Sequence, residues 1–199
     1  MTDARSDSTG SNDPTGPADS TSPTDAAPAT ERAGGGEGGG VERIEVARTM
    51  PSDAAAVFAV LCDPQGHVDI DSTGMLMDAT GEPVSVVGDT FVVHMDREAL
   101  NDYPLGRYDV TVKIETFEQD RDISWSILGQ IRPQIGHTYG YRLEPLDEGT
   151  RVTSYYDWSA IDPVWREAKI FPVVSEAALR ATLGVLDRTV RRRPRNTAG

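Results

Sequence analysis

Residues 175–191 read SEAALRATLGVLDRTVR, and this stretch decides the fold class. Four of its apolar residues recur at steps of four, three and four positions, a spacing that places them on one face of an α-helix. They are Leu179, Leu183, Leu186 and Val190. Ser175 is a typical N-cap residue, so we expect the helix to begin just after it. The sequence therefore predicts a long amphipathic helix near the end of the chain, with one face buried.

Two acid–base pairs on this helix are four residues apart, with the acid first, which is the better orientation for exposed pairs. They are Glu176 with Arg180 and Asp187 with Arg191. We expect both pairs on the solvent side of the helix.

Upstream of the helix, apolar and polar residues alternate in five segments, as is typical of β-strands with one buried face. The segments lie around residues 90–95, 108–115, 123–127, 137–143 and 152–158. Short polar stretches at residues 118–122 and 147–149 predict tight turns between neighbouring strands. We therefore expect antiparallel strands in one sheet.

The region before these strands predicts one more strand, around residues 44–49, and then two short helices. Ser52 or Asp53 can cap the first helix, and Asp63 with Pro64 can begin the second. This order is α+β and predicts the helix-grip fold: a curved antiparallel sheet wrapped around a long C-terminal helix, with two short helices after the first strand. The alternative is a cone fold of the ketosteroid isomerase type, which usually begins with helices and ends with strands. The order of elements predicted here is the reverse, which favours the helix-grip fold.

Several stretches of the chain also resemble a known superfamily. They are Ile44-Glu45-Val46, Asp63-Pro64-Gln65-Gly66-His67-Val68-Asp69-Ile70-Asp71-Ser72-Thr73-Gly74, Val87-Gly88-Asp89-Thr90-Phe91, Tyr156-Asp157-Trp158 and Phe171-Pro172-Val173-Val174. In this order, over about residues 42–190, they resemble the START/Bet v1-like (SRPBCC) superfamily, and within it bacterial polyketide cyclase/dehydrase-like proteins. The resemblance implies an internal cavity. It selects no reaction, because lipid carriers, aromatase/cyclases, hormone receptors and chaperone cofactors share the fold.

The chain has 199 residues, 32 of them acidic and 19 basic, for a net charge of −13. Residues 1–40 are rich in Gly, Ser, Thr and Pro, lack Val, Ile, Leu, Phe, Tyr and Trp, and are predicted to be a disordered acidic tail. The sequence leaves its role open between a tether or partner-binding arm, a solubilising appendage, and a gene-calling artefact with the native start near Val41. Residues 41–190 are predicted to form a helix-grip ligand-binding domain, and residues 191–199 a basic, flexible C-terminus.

The composition argues against several partners. No stretch approaches the roughly 18 uninterrupted apolar residues of a membrane-spanning helix, and the first residues do not form a secretion signal. The acidic balance does not suit a nucleic-acid backbone, which is bound mainly by clustered Lys and Arg. We therefore expect a cytoplasmic protein, monomer or homodimer, that binds no nucleic acid and does not insert stably into membranes.

No metal or cofactor is expected. The histidines, His67, His94 and His137, are far apart in sequence, and Cys62 is the only cysteine, so the spacing of a zinc site is absent from the sequence. No Gly-rich phosphate-binding motif follows a predicted strand.

The predicted inner faces of the strands are rich in aromatic residues. With two leucines of the last helix, they give the predicted ligand-binding residues: Phe91, Met95, Tyr108, Trp125, Tyr139, Tyr141, Trp158, Leu179 and Leu183. Large rings offer apolar area, while Tyr and Trp can each place one hydrogen bond, which suits a ring-bearing or acyl ligand. The alternative is that these side chains pack a solid core beneath the helix.

His137 and Tyr156 are the predicted catalytic residues. His137 shares a strand face with the aromatic residues, and the ordinary histidine pKa of about 6.5 suits proton transfer near neutrality. The alternative for His137 is a structural role at the start of its strand.

Two further sites carry histidine. His94 lies on the polar side of its strand and is expected to be exposed. His67 with Asp69 and Asp71 is expected either to form a polar gate at the cavity mouth or to satisfy the helix end and the following turn.

The sequence thus predicts binding of a small hydrophobic molecule that is aromatic, polyketide-like or lipid-like, without a cofactor. Whether the protein is an enzyme stays open; if it is, the resemblance suggests cyclisation, aromatisation or dehydration of a polyketide-like substrate. The alternative is a non-catalytic carrier, a sensor, or an interaction module whose cavity is filled by its own side chains.

Overall fold

A single antiparallel sheet contains all the strands in the described part of the chain, residues 42–98 and 105–193 of a computed structural model. The strands are β1 (Arg43–Met50), β2 (Leu76–Thr80), β3 (Thr90–Asp96), β4 (Arg107–Glu118), β5 (Asp122–Leu128), β6 (Thr138–Leu146) and β7 (Gly149–Asp157). Their order across the sheet is β1-β7-β6-β5-β4-β3-β2, so β1 pairs with the last strand in sequence. The predicted tail, residues 1–40, lies outside the described residues, as do residues 194–199.

Four helices complete the described fold: α1 (Ala54–Cys62), α2 (Pro64–Ile70), α3 (Pro163–Glu167) and α4 (Glu176–Arg192). Helix α4 contacts β1, β7, α1 and α2. Its four predicted core residues, Leu179, Leu183, Leu186 and Val190, are all buried. The curved sheet, the long last helix and the two short helices after the first strand confirm the predicted α+β helix-grip fold.

Each helix begins at a side-chain cap, because the first backbone N–H groups of a helix have no partner within it. Asp53 accepts from Ala56 N at 2.7 Å, which decides between the two caps expected for α1. Asp63 and Asp162 cap α2 and α3, each just before a proline at the first helical position. Ser175 Oγ accepts from Ala178 N at 3.2 Å and begins α4 as predicted.

Strand β2 was not predicted from the sequence. It lies at the edge of the sheet, its Met77 is 60% exposed, and its pairing with β3 shifts register between Leu76 and Asp78. An irregular, exposed edge strand does not show the alternation that marks a half-buried one. Gln65 of α2 bonds to Asp78 and, at 3.0 Å, to the Ala79 carbonyl, so this edge is held partly by a helix.

The sequence predicted that Asp187 and Arg191 form an exposed pair. This prediction is wrong for Asp187, which is only 3% exposed. Arg48 of β1 donates to Asp187 Oδ2 through Nε at 3.1 Å and Nη2 at 2.8 Å. Arg191 Nε lies 3.0 Å from the other carboxylate oxygen. Two arginines thus compensate one buried carboxylate and join α4 to the edge strand β1.

The end of α4 is also attached to α2. Arg193 contacts Asp63 Oδ2 and Asp69 Oδ2, each at 2.7 Å. The helix runs to Arg192, two residues beyond the predicted end of the domain at residue 190. The first three residues of the predicted flexible C-terminus therefore have a defined place in the fold.

Successive residues of β7 face opposite sides of the sheet. Tyr156 is fully buried on the inner face, whereas Tyr155 lies on the outer face over Gly140, where a Cβ would come within 2.3 Å of its ring. The Tyr155 hydroxyl donates to Asp122 at 3.1 Å, and the Arg43 guanidinium lies 4.1 Å from the ring centre. The outer face thus has its own polar network, separate from the interior.

Candidate functional site

The two predicted catalytic residues are in direct contact. His137 immediately precedes β6, and Tyr156 lies near the end of the neighbouring strand β7, opposite Tyr139. The Nδ1 atom of His137 is 2.9 Å from the Tyr156 hydroxyl, and both side chains are buried. Antiparallel pairing of β6 with β7 therefore brings together two residues that are 19 positions apart.

Burial keeps both members of this pair neutral at neutral pH. It lowers the pKa of His137 to about 4, because the charged imidazolium is poorly solvated there. Burial, with the neighbouring Tyr139 adding to the effect, raises the pKa of Tyr156 well above its usual value, and the Val173 backbone opposes that rise. If the phenol donates to Nδ1, the imidazole carries its proton on Nε2, which can then donate to a ligand.

Three further rings lie against the pair. The Tyr139 ring centre is 4.8 Å from that of Tyr156 and 5.2 Å from that of His137. Trp158 stacks on Tyr156 at 5.4 Å, and Phe171 meets His137 edge-on at 6.1 Å. We call these five residues the His137 ring cluster. The hydrogen-bonded pair of His137 and Tyr156 is therefore a polar group in an aromatic, apolar environment.

A second group, the Trp125 ring cluster, comprises Trp125, His67, Phe91 and Tyr141. The His67 ring centre is 4.6 Å from that of Trp125 and 4.8 Å from that of Phe91, and Trp125 stacks on Tyr141 at 5.9 Å. Burial raises the pKa of Tyr141 to about 12, so its hydroxyl stays protonated. The His67 imidazole thus packs as an aromatic ring among its neighbours in this cluster.

A polar gate built on His67 is not what the structure shows. His67 is 5% exposed, its Nε2 donates to the Leu61 carbonyl at 2.9 Å, and burial lowers its pKa to about 4. Asp71 accepts from Thr73 N at 3.0 Å and therefore holds the turn after α2, the alternative role expected from the sequence. Asp69 pairs with Arg193.

All predicted ligand-binding residues, together with Tyr156, belong to one hydrophobic core, and His137 is a buried polar residue beside it. Phe91, Trp125, Tyr141, Tyr156, Leu179 and Leu183 are buried in it, and Met95, Tyr108, Tyr139 and Trp158 are partly buried against it. Their placement agrees with the predicted inner face. Their role in holding a ligand stays a prediction.

Several polar ring atoms of the inner face have no hydrogen-bond partner among the described residues, and three of them are Trp125 Nε1, the Tyr139 hydroxyl and His137 Nε2. In the same part of the chain, Asp187 Oδ1 is the only fully buried side-chain nitrogen or oxygen without a hydrogen bond. The three ring atoms are therefore not sealed off by protein. Each can meet water or a polar group of a ligand.

The recesses lined by described residues include two near the helices at the end of the chain. The first, which we call the α3 recess, has a volume of about 100 Å³ and is lined by Glu42, Trp158, Ile161, Arg166, Lys169 and Phe171. The second, of about 380 Å³, is open and lies near the end of α4, between Asp69, Arg188, Thr189, Arg192 and Arg193. Of these two, the α3 recess shares Trp158 and Phe171 with the His137 ring cluster, and the other shares no residue with either ring cluster.

His94 lies on the outer face, as predicted, and takes no part in the interior. Its Nε2 is 2.9 Å from Thr80 Oγ1 and its Nδ1 is 2.8 Å from Asp109 Oδ1, so it links three neighbouring strands. Within the described ranges no group of three or more His, Cys, Asp or Glu side chains is placed to hold a metal ion.

Sequence reasoning missed three residues near the site. His67 was expected either at a cavity mouth or at the helix end and the following turn, whereas its ring joins the Trp125 ring cluster. Phe171 and Lys169 lie in the irregular segment between α3 and α4. Such a segment has no periodic pattern of apolar residues from which the inward-facing side chains could be predicted. The Phe171-Pro172 dipeptide within the superfamily resemblance was the one signal that could have drawn attention to this stretch.

Comparison with known proteins identifies the class of fold. No protein-family model matches the chain. Among solved structures, the Zhui aromatase/cyclase from Streptomyces sp. R1128 aligns with 79% of this chain and 98% of its own, with a TM-score of 0.55 and 17% identity. Protein CV1439 from Chromobacterium violaceum aligns with 75% and 96%, with a TM-score of 0.56 and 14% identity. The chain has a Bet v1/SRPBCC-type fold, and at these identities the similarity establishes the fold alone.

A similar protein at the sequence level is the uncharacterized protein Rv0088 of Mycobacterium tuberculosis strain H37Rv. It is 26% identical over 154 residues, which cover 74% of this chain and 63% of that protein. The chain thus spans less than two thirds of the relative's length. Among the described residues, no helix is both long enough and apolar enough to cross a bilayer.

Proposed function

We propose that this protein binds a small hydrophobic molecule, bearing rings or an acyl chain, against the inner face of the sheet beneath α4. The observation that carries the proposal is the His137–Tyr156 hydrogen bond, a polar pair 2.9 Å apart within an aromatic lining. Binding pockets for small molecules typically combine an apolar lining with a few polar groups that fix orientation. We further propose a cytoplasmic location, as a monomer or homodimer.

The protonation states favour binding over proton transfer. A general base works best when its pKa is near the operating pH, and the pKa of His137 is about 4. Tyr156 stays protonated, because burial raises its pKa. At neutral pH the pair therefore offers neutral hydrogen-bond donors and acceptors, which suit a carbonyl or hydroxyl group of the ligand.

A second candidate function is cofactor-independent cyclisation, aromatisation or dehydration of a polyketide-like substrate. It is favoured by the direct contact of a phenol with an imidazole, and the lining would act mainly by orienting the chain. In that case His137→Asn and Tyr156→Phe, made singly, should each lower turnover with little loss of substrate affinity. Unchanged rates in both variants would remove those roles.

The binding proposal is tested by extracting the full chain, purified from its host, for mass spectrometry and by titrating it with the uncharged dye N-phenyl-1-naphthylamine. We expect a copurifying hydrophobic molecule or saturable dye uptake. Met95→Trp adds bulk on the inner face and should weaken dye binding at least about fivefold, whereas Met77→Trp, at an exposed position, should not. An empty extract with no dye uptake would instead favour an interaction module with a filled interior.

A further inference from the structure

The α3 recess adjoins the His137–Tyr156 pair. Two of its walls belong to the His137 ring cluster: Phe171, whose ring centre is 6.1 Å from that of His137, and Trp158, which stacks on Tyr156 at 5.4 Å. A ring placed in the recess would therefore lie one side chain away from the polar pair. Its volume of about 100 Å³ suits one small part of a ligand and not the whole of it.

The charges of the recess do not cancel. Arg166 forms an ion pair with Glu42 and also donates to the Ser159 carbonyl at 3.0 Å. Lys169, the third charged residue of the lining, has no carboxylate partner within the described part of the chain. The recess therefore carries an uncompensated positive charge on a protein whose net charge is −13.

The backbone at Lys169 adds a second observation. Its φ is +53°, and its N–H donates to the Arg166 carbonyl at 3.2 Å where the chain leaves α3. Glycine is the usual residue in this left-handed position, because a side chain there costs free energy. A lysine held in such a position beside an aromatic recess points to a role for its side chain.

From these observations we infer that the α3 recess binds the carboxylate of an aromatic ligand, with Lys169 as the counter-ion and Trp158 and Phe171 as the walls for the adjoining ring. The inference rests on the proposed function and narrows it: the ligand is an aromatic acid rather than a neutral hydrocarbon or ester. Its apolar part would extend towards the inner face, and its charged end would stay at the rim.

The test compares 2-naphthoate with 2-naphthamide, which have nearly the same shape and differ in charge, by calorimetric titration of the full chain. We expect the carboxylate to bind about fivefold more tightly at low salt, and this preference to shrink as salt is added. Lys169→Met should abolish the preference, and Lys169→Arg should keep it. The matched control is Lys113→Met, because Lys113 is the only other lysine, lies on β4 and contacts Glu115 at 3.3 Å.

The inference is overturned if the two compounds bind equally, or if Lys169→Met keeps the preference. Uptake of N-phenyl-1-naphthylamine separates this failure from that of the proposed function. If the dye binds but the carboxylate is not preferred over the amide, the proposed hydrophobic binding site is supported and the proposed carboxylate site in the α3 recess is rejected. If none of the three compounds binds and no ligand copurifies, both proposals fall.

Discussion

Arg48 on β1 and Asp187 on α4 are joined by two hydrogen bonds to one carboxylate oxygen, at 3.1 and 2.8 Å. The carboxylate is buried, while about half of the arginine side chain is exposed. A buried charge is costly unless it is paired, so this contact holds α4 in one orientation against the edge of the sheet.

Removing the arginine should therefore destabilise the fold. We expect Arg48→Ala to lower the free energy of unfolding by about 2 kcal/mol, less than for a fully buried pair because Arg191 still compensates Asp187. Arg151→Ala is the control, since Arg151 lies 3.8 Å from an exposed Glu144, and it should cost less than about 0.5 kcal/mol. If urea denaturation shows the same loss of free energy of unfolding for Arg48→Ala and Arg151→Ala, the structural role of the buried carboxylate is contradicted.

Stability should depend on pH through His67 and His137. The pKa of each is about 4 in the folded chain, against about 6.5 when unfolded, so the unfolded state binds more protons between these values. The free energy of unfolding should fall as the pH falls from about 6.5 to about 4, by up to about 3 kcal/mol per histidine. Urea denaturation across this range measures the slope. His137→Asn should make it shallower, and an unchanged slope would show that His137 does not titrate in this way.

Two glycine substitutions should act in opposite directions. A Cβ at Gly140 would come within 2.3 Å of the Tyr155 ring, so Gly140→Ala should destabilise the fold by about 1–3 kcal/mol. A Cβ at Gly184, inside α4, meets nothing within 4 Å, and Gly184→Ala should stabilise it by about 0.5–1 kcal/mol. Thermal unfolding of both variants tests this. A tolerated alanine at position 140 would mean that the ring of Tyr155 can move aside.

The single cysteine should react slowly. Burial, with the charge of Asp120 adding to it, raises the pKa of Cys62 to about 12, so little thiolate is present at neutral pH. We expect N-ethylmaleimide to modify the native chain much more slowly than the chain in denaturant, as followed by intact mass. Similar rates in both conditions would show that the end of α1 opens readily.

The elements that a sequence can predict are those whose signal is local. The spacing of Leu179, Leu183, Leu186 and Val190 predicted α4, and the alternation of residues 108–115 predicted β4, because one buried face imposes a period on each. Strand β2 carries no such period, since it is short, exposed and irregular at the edge of the sheet.

Residues positioned by long-range contacts were harder to predict. Asp187 pairs with Arg48, 139 positions away, and no local pattern reveals that its side of α4 turns towards β1. His67 is drawn into the interior by Phe91 and Trp125 on the facing strands. By contrast, alternation along neighbouring strands was enough to place both His137 and Tyr156 on the inner face. Their direct contact was not predicted, and their function stays a prediction.

The alternation of Tyr155 and Tyr156 also limits how this protein can diverge. Inserting or deleting one residue in β7 would exchange the faces of these two tyrosines. Tyr155, which contacts Asp122 and Arg43 on the outer face, would then enter the interior, and Tyr156 would leave it. Natural variants should therefore tolerate amino-acid replacements along β7 far better than changes in its length. Length variation among relatives should be concentrated in the loops.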